Sequence, residues 1–441
     1  MPTAASALAA ASSSFPHVDL ALAAALAHSS LNPLQLAGRR LLPIVQGGMG
    51  VGVSAKKLAG AVAALGGVGT ISSVDLRRHH PDLMARTNHL AARPGMDADS
   101  KAQINAANLE ALDREIRAAR QIAAGRGLIA VNVMRAVDDY AAYVRQSLAS
   151  GADAVVVGAG LPLDLPDLAA EHPDTLLIPI LSDARGVALV VKKWERKKRL
   201  PDAIVIEHPR WAAGHLGAAK IADLNDPRFD FETVIPEVLA FLRKAGIERE
   251  VPIIPAGGIR SHADIRRLQN LGAAAVQLGT PFAVTQECDA ALGFKQVLAG
   301  ASDADLVEFT SVAGLPARGV ATHWLKGYLK AADRLQAHVH AKSRCTKAFD
   351  CLAQCGLRDG LPGWGQFCID NQLAAALRGD VKKGLFFRGH GTLPFGDQIR
   401  SVRELVEWLL DPAAVLQVPA AQASAAQATV PPAHTPDAVP A

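Results

Sequence analysis

Between residues 41 and 300, short and nearly continuous apolar runs alternate with longer stretches whose apolar positions recur every three or four residues. The runs are Leu41–Gln46, Gly67–Ser72, Gly127–Val133, Asp153–Gly158, Leu176–Leu181, Asp202–Glu207, Val251–Ala256 and Ala274–Gly279. Continuous rather than alternating apolar character predicts parallel strands buried on both faces. The stretches Ser54–Leu65, Lys101–Ala124, Asp138–Ser150, Ala184–Arg199, Phe231–Ala245, Ser261–Leu271 and Phe282–Ala299 predict helices. Ser54 stands where an N-cap is wanted, and Gly66 lies just past the end of that first helix. Leu161–Glu171 is too short and Pro-interrupted for a helix. His79–Ser100 reads as a long loop, a candidate lid.

Eight βα units match a closed (β/α)8 TIM barrel, typically about 250 residues. A doubly wound open sheet shares this periodicity, but eight regular units without a second domain favour the barrel. The expected organisation is an N-terminal tail (1–36), a barrel (37–335), a Cys-containing C-terminal segment (336–410) and an Ala/Pro-rich disordered tail (411–441). Composition removes other classes. With 46 Lys+Arg against 42 Asp+Glu and a net charge of +4, a dedicated nucleic-acid binder is excluded. No apolar run reaches the roughly 18 residues of a membrane span. The Ala-rich start lacks a basic n-region, so a cytoplasmic protein is expected.

In a barrel, chemistry belongs just beyond the strand ends. Gln46-Gly47-Gly48-Met49-Gly50 follows the first run, and its glycines let backbone approach a flat ligand or simply make a tight turn. Asn132, in Val131-Asn132-Val133-Met134, either ties loops together or faces a heterocycle. Ala256-Gly257-Gly258-Ile259 and Gln277-Leu278-Gly279-Thr280 follow the seventh and eighth runs, the usual place for a phosphate in this fold. His215, between glycines after the sixth run, has an imidazole suited to proton transfer near neutrality; His208, beside Pro209, reads as a bystander.

Taken in order, Gln-Gly-Gly-Met-Gly, Val-Asn-Val-Met, Ala-Gly-His-Leu-Gly, Ala-Gly-Gly-Ile and Gln-Leu-Gly-Thr resemble the nitronate monooxygenase (2-nitropropane dioxygenase) family, to which flavin-dependent enoyl-ACP reductases are related. The resemblance covers roughly residues 41–300. It implies an FMN-binding barrel, with Gly257, Gly258, Gly279 and Thr280 around the phosphate. It also implies Gly48, Met49, Asn132 and Gln277 along the flavin, and His215 as the catalytic residue. The implied reaction oxidises an alkyl nitronate with O2 to a carbonyl compound and nitrite. The alternatives are a flavin-dependent enoyl-ACP or enoyl-thioester reductase using NAD(P)H or fed by an iron–sulfur cluster, or a flavin-binding barrel without turnover. Ala213-Gly214 stands where the family usually has two glycines, and Glu237 where a glutamine is common.

Of five cysteines, four form Cys345-x5-Cys351-x3-Cys355-x12-Cys368, a spacing that can hold a [4Fe-4S] cluster or zinc, or bury four small apolar side chains. The x3 and x12 intervals are similar to the cluster segment of flavin-dependent dienoyl-CoA reductases. The basic run Lys192–Arg199 reads as a solvated helix end, or as a dock for an acyl carrier protein.

Overall fold

Eight parallel strands close on themselves in a computed structural model that describes residues 13–91, 98–339, 345, 347 and 351–414. They are β1 (Ile44–Gln46), β2 (Val68–Ser72), β3 (Leu128–Met134), β4 (Ala154–Gly158), β5 (Leu176–Leu181), β6 (Ile204–Glu207), β7 (Ile253–Ala256) and β8 (Val276–Leu278). Each lies within its expected run or overruns it by one residue, and β8 pairs with β1 to shut the ring. The protein is a TIM barrel. Alternate residues fill its interior: Val45, Val68, Ala130, Val156, Ile178, Val205 and Ile254 share one buried cluster. Their neighbours Ile44, Val131, Val155, Leu177, Ile204 and Ile253 face the surrounding helices in another. Both faces are apolar because both are covered, which is why the runs read as continuous.

The expected N-terminal tail is in part structural. Helix Leu20–His28, capped by Asp19, buries Leu22, Ala23 and Leu26. The hairpin of Leu34–Leu36 with Arg39–Leu41 places Leu34, Leu36 and Leu41 in the interior cluster, as a floor to the barrel. Residues 415–441 of the expected C-terminal tail lie outside the described residues. His79–Ser100 is not one long loop, since Pro81–Ala91 is helical with Leu83 and Leu90 buried, and a second helix runs Ala98–Ala123.

The first barrel helix, Lys56–Ala64, is capped from a distance. Asp289 accepts from the N–H groups of Ala55, Lys57 and Leu58 at 2.8, 3.2 and 3.2 Å. Ser54, expected as the cap, instead accepts from Met49 N at 2.9 Å and closes the loop after β1. The expected helix Phe282–Ala299 is two pieces, Thr280–Ala283 and Leu292–Gly300. The remaining place in the outer ring is taken by Val402–Leu410, which packs against helices Lys56–Ala64 and His262–Asn270. Between these come β9 (Leu306–Thr310) and β10 (Pro316–Val320), an antiparallel pair extended by the two-residue strand Gly214–His215.

Among the described residues no helix is long and apolar enough to cross a membrane. Within the basic run Trp194 is buried, Lys197 pairs with Asp167 and Arg199 bonds Asp202 at 2.6 Å, while Lys192, Lys193, Arg196 and Lys198 are exposed. Glu237 faces solvent on its helix.

Candidate active site

The loops beyond the strand ends enclose a cavity of about 630 Å³ at the C-terminal mouth of the barrel. It is lined by all nine residues singled out there in the sequence: Gly48, Met49, Asn132, His215, Gly257, Gly258, Gln277, Gly279 and Thr280. Gly48 stands directly over Asn132, so that a Cβ at 48 would lie 2.3 Å from the Asn132 Cβ. Gly47 is similarly seated on Gln277, at 3.1 Å. Below this turn Gln46 is structural: its amide exchanges two bonds with the Thr70 backbone, at 2.9 and 3.1 Å, and ties β1 to β2.

Gly257 and Gly258 have φ of +112° and +73°, conformations that side chains rarely adopt. A Cβ at 258 would also stand 3.0 Å from Trp211. At Gly279 only the Met49 sulfur, at 3.8 Å, would meet a Cβ, so this backbone is bare toward the cavity. Thr280 Oγ1 accepts from Gly389 N at 3.1 Å, which brings the C-terminal segment against the same turn. Arg260 and His390 also line the cavity.

His215 does not sit on a free loop. It is held on an edge strand opposite Ala317 of β10, and its Nε2 lies 2.9 Å from Ser311 Oγ. The loop preceding it is anchored by the buried Arg318, which donates to Ala212 O at 2.7 Å and to Glu308 at 2.8 Å. Phe387 covers the imidazole at 6.2 Å between ring centres. Burial lowers the His215 pKa to about 4, so the ring is neutral at pH 7. At the end of β6, Glu207 is pushed up to about 7 by burial. His208 lies outside the cavity lining, packed edge-on against Phe231 and 3.4 Å from Asp230, as a bystander.

The far wall joins the turn after β2 to the cysteine segment. Arg78 donates both to Asp75 and, at 2.9 and 3.0 Å, to Asp370, which Lys347 also pairs at 2.6 Å. Burial and the nearby Asp370 push Asp75 up to about 6. For Asp370, Arg78 and Lys347 outweigh burial and hold its carboxyl far below the usual range.

Of the four clustered thiols only Cys351 lines the cavity. The metal or cluster expected at Cys345, Cys351, Cys355 and Cys368 is not borne out: among the described residues no three His, Cys, Asp or Glu side chains are arranged to hold a metal ion. Cys351, Cys355 and Cys368 pack in an apolar cluster with Phe309, Phe367 and Ile369, and burial raises each thiol pKa, Cys368 to about 11.

The model of the nitronate monooxygenase family matches residues 39–411, from the barrel floor through the helix that completes the outer ring. The chain belongs to the nitronate monooxygenase family. This is a family of oxidoreductases. Among curated relatives, a probable nitronate monooxygenase of Bacillus subtilis is 33% identical over 89 residues, 20% of this chain and 26% of the relative. A nitronate monooxygenase of Pseudomonas aeruginosa is 34% identical over 82 residues, 19% and 23% of the two chains. The chain thus matches about a quarter of the length of these relatives. Two solved structures share the fold. FabK from Thermotoga maritima has a TM-score of 0.56 at 21% identity, covering 83% of this chain and 91% of its own. A nitroalkane oxidase from Streptomyces ansochromogenes has 0.56 at 20%, covering 87% and 97%.

Proposed function

We propose that this member of the nitronate monooxygenase family binds FMN in the mouth of its barrel and oxidises alkyl nitronates with O2 to carbonyl compounds and nitrite. The observation that carries the reading is the convergence of nine strand-end residues on one cavity, whose glycine turns leave backbone bare for a flat, phosphate-bearing group. The residues fit such a group: Gly257, Gly258, Gly279 and Thr280 would hold the phosphate, with Arg260 as the cation among the lining side chains. Gly48, Met49, Asn132 and Gln277 would lie along the ring system. When bound, FMN supplies the electron-accepting chemistry.

The chain's own residues bind and orient the other reactant. His215, kept neutral and fixed by Ser311, orients a nitronate or takes a proton from a neutral nitroalkane. Phe387 and the apolar wall of Met134, Val137, Leu161, Ile180 and Leu352 exclude water from it. That wall is larger than a nitromethane anion needs. We expect KM to fall along the series from ethyl to hexyl nitronate, by up to about fourfold per methylene at roughly 0.8 kcal/mol per buried CH2. Steady-state kinetics across the series checks this, and a KM independent of chain length would remove the apolar wall from substrate binding.

Nitrite release in air from an alkyl nitronate, by protein showing flavin absorbance, tests the main reading. NAD(P)H consumption dependent on an enoyl thioester, without nitrite release, would replace it with the reductase. The phosphate assignment has its own check. Gly258→Asp places a carboxylate in a left-handed turn against Trp211, and the purified variant is expected to retain little flavin. Full flavin occupancy would sink that assignment.

A further inference from the structure

We infer that Ser182 and Glu207 form a two-donor subsite in the cavity wall that binds the oxygens of an anionic substrate head group. The inference rests on this cavity being the substrate site. Its geometry starts from strand register. β5 and β6 pair in parallel with Ile180 opposite Val205 and Leu181 opposite Ile206, so the next rung sets Ser182 beside Glu207. Ile178 and Val205 point into the barrel, and the two-residue period of a strand carries that direction on to Ser182 and Glu207. Both line the cavity.

A second observation brings their oxygens together. Gly217, at φ +66°, passes so close that a Cβ there would stand 2.3 Å from Ser182 Oγ and 3.4 Å from Glu207 Oε2. Glycine is what lets the hydroxyl and the carboxyl share this corner. Neither side chain makes a hydrogen bond or ion pair with any described residue, although recessed polar groups are normally satisfied. A ligand's acceptor atoms would satisfy both.

The charge state fits an anion. With its carboxyl pushed up to about 7 by burial, Glu207 is protonated in about half of the molecules at pH 7 and in most of them below it, with an O–H to donate, and Ser182 supplies a second. A nitronate presents two oxygens that share one negative charge. The other ionisable groups around the cavity do not compete for this role. Asp183 is committed to capping helix Ala184–Glu195, accepting from Gly186 N at 2.7 Å, and His215 is neutral. Arg260 and His390 line the cavity wall beyond β7. Asp75 and Asp370 are paired with Arg78, and Asp139 is bonded by Asn105.

The test uses the purified holoenzyme and butanoate, an unreactive carboxylate shaped like a nitronate, titrated calorimetrically between pH 5.5 and pH 8.5. In the unmodified enzyme butanoate affinity is expected to weaken as pH rises through about 7, approaching tenfold per pH unit once Glu207 is ionised. Glu207→Gln keeps a neutral donor of the same size, so it is expected to hold the low-pH affinity and lose the pH dependence. Ser182→Ala is expected to weaken binding about three- to tenfold at every pH while keeping the slope. A wild-type slope in Glu207→Gln, unaltered affinity in both variants, or no butanoate binding to the unmodified enzyme at pH 6 would each overturn the subsite. Flavin absorbance of the same samples reports separately on the cofactor reading: a flavin-free protein with the expected butanoate behaviour would refute that reading and leave the subsite standing.

Discussion

Replacing His215 by alanine is expected to leave flavin content unchanged and to slow nitronate turnover at least tenfold, about 1.4 kcal/mol of transition-state stabilisation. The imidazole is placed for this role by elements far apart in the chain. The edge strand opposite β10 fixes its backbone, Ser311 holds Nε2 at 2.9 Å, and Phe387 shields it. Because its pKa is depressed to about 4, the functional neutral ring persists across the neutral range. The imidazole therefore adds no titration of its own near pH 6.5, and its loss of function appears only as pH drops through about 4. Steady-state nitrite release against pH, with flavin-to-protein ratios from absorbance, checks both points. Unchanged turnover in the variant would remove His215 from the mechanism, and a titration near pH 6.5 that disappears with it would show an imidazole more open to water than the structure places it.

Arg78→Met is expected to cost about 3–5 kcal/mol of folding stability, the usual penalty for removing one partner from a buried ion pair. Arg78 is 12% exposed and pairs with two carboxyls that are 4% exposed each. Without it the two neighbouring carboxyls keep only Lys347 and Arg77 as paired cations. The sign of the pH dependence follows. Asp370 has a depressed pKa, so its pairing stabilises the fold above the unfolded carboxyl value and is lost as pH falls through the folded one. The deficit of the variant is thus largest near neutrality and narrows below about pH 4, where the unfolded chain's carboxyls are protonated. Urea unfolding at pH 7 and pH 4 measures this. A loss under 1 kcal/mol at pH 7 would show that the far wall is not held by this pair.

The barrel was legible because burial on both faces of each strand writes an unbroken apolar run, and the glycine turns because their backbone needs forbid most other residues. Gly257, Gly258 and Gly279 are of this kind. What stayed hidden depends on contacts without a local signature. Phe387 and His390 reach the cavity, and Ser311 reaches His215, from segments outside the eight repeating units, and no spacing in the sequence ties them to the site. The distal cap from Asp289 misled the placement of Ser54 for the same reason. Glu207 could have been found: it stands two residues after Val205 in a strand whose alternate side chains enter the barrel, so the period alone aims it at the mouth. The cysteines differ again: their close spacing suggested ligation, and the structure sets three of them among Phe309, Phe367 and Ile369, neighbours that lie outside the cysteine motif.

The completion of the ring by Val402–Leu410 has a consequence for how the protein is made. This helix buries Val402, Leu405, Val406, Leu409 and Leu410, yet it follows β8 by more than a hundred positions. At about 5–20 residues per second, a ribosome needs roughly 6–25 s to travel from one to the other. Throughout that interval all eight strands exist while the apolar flanks of Lys56–Ala64 and His262–Asn270 await their neighbour. A nascent chain stalled in this stretch offers a sticky, half-clad barrel to chaperones, and its release from them marks the arrival of residue 410.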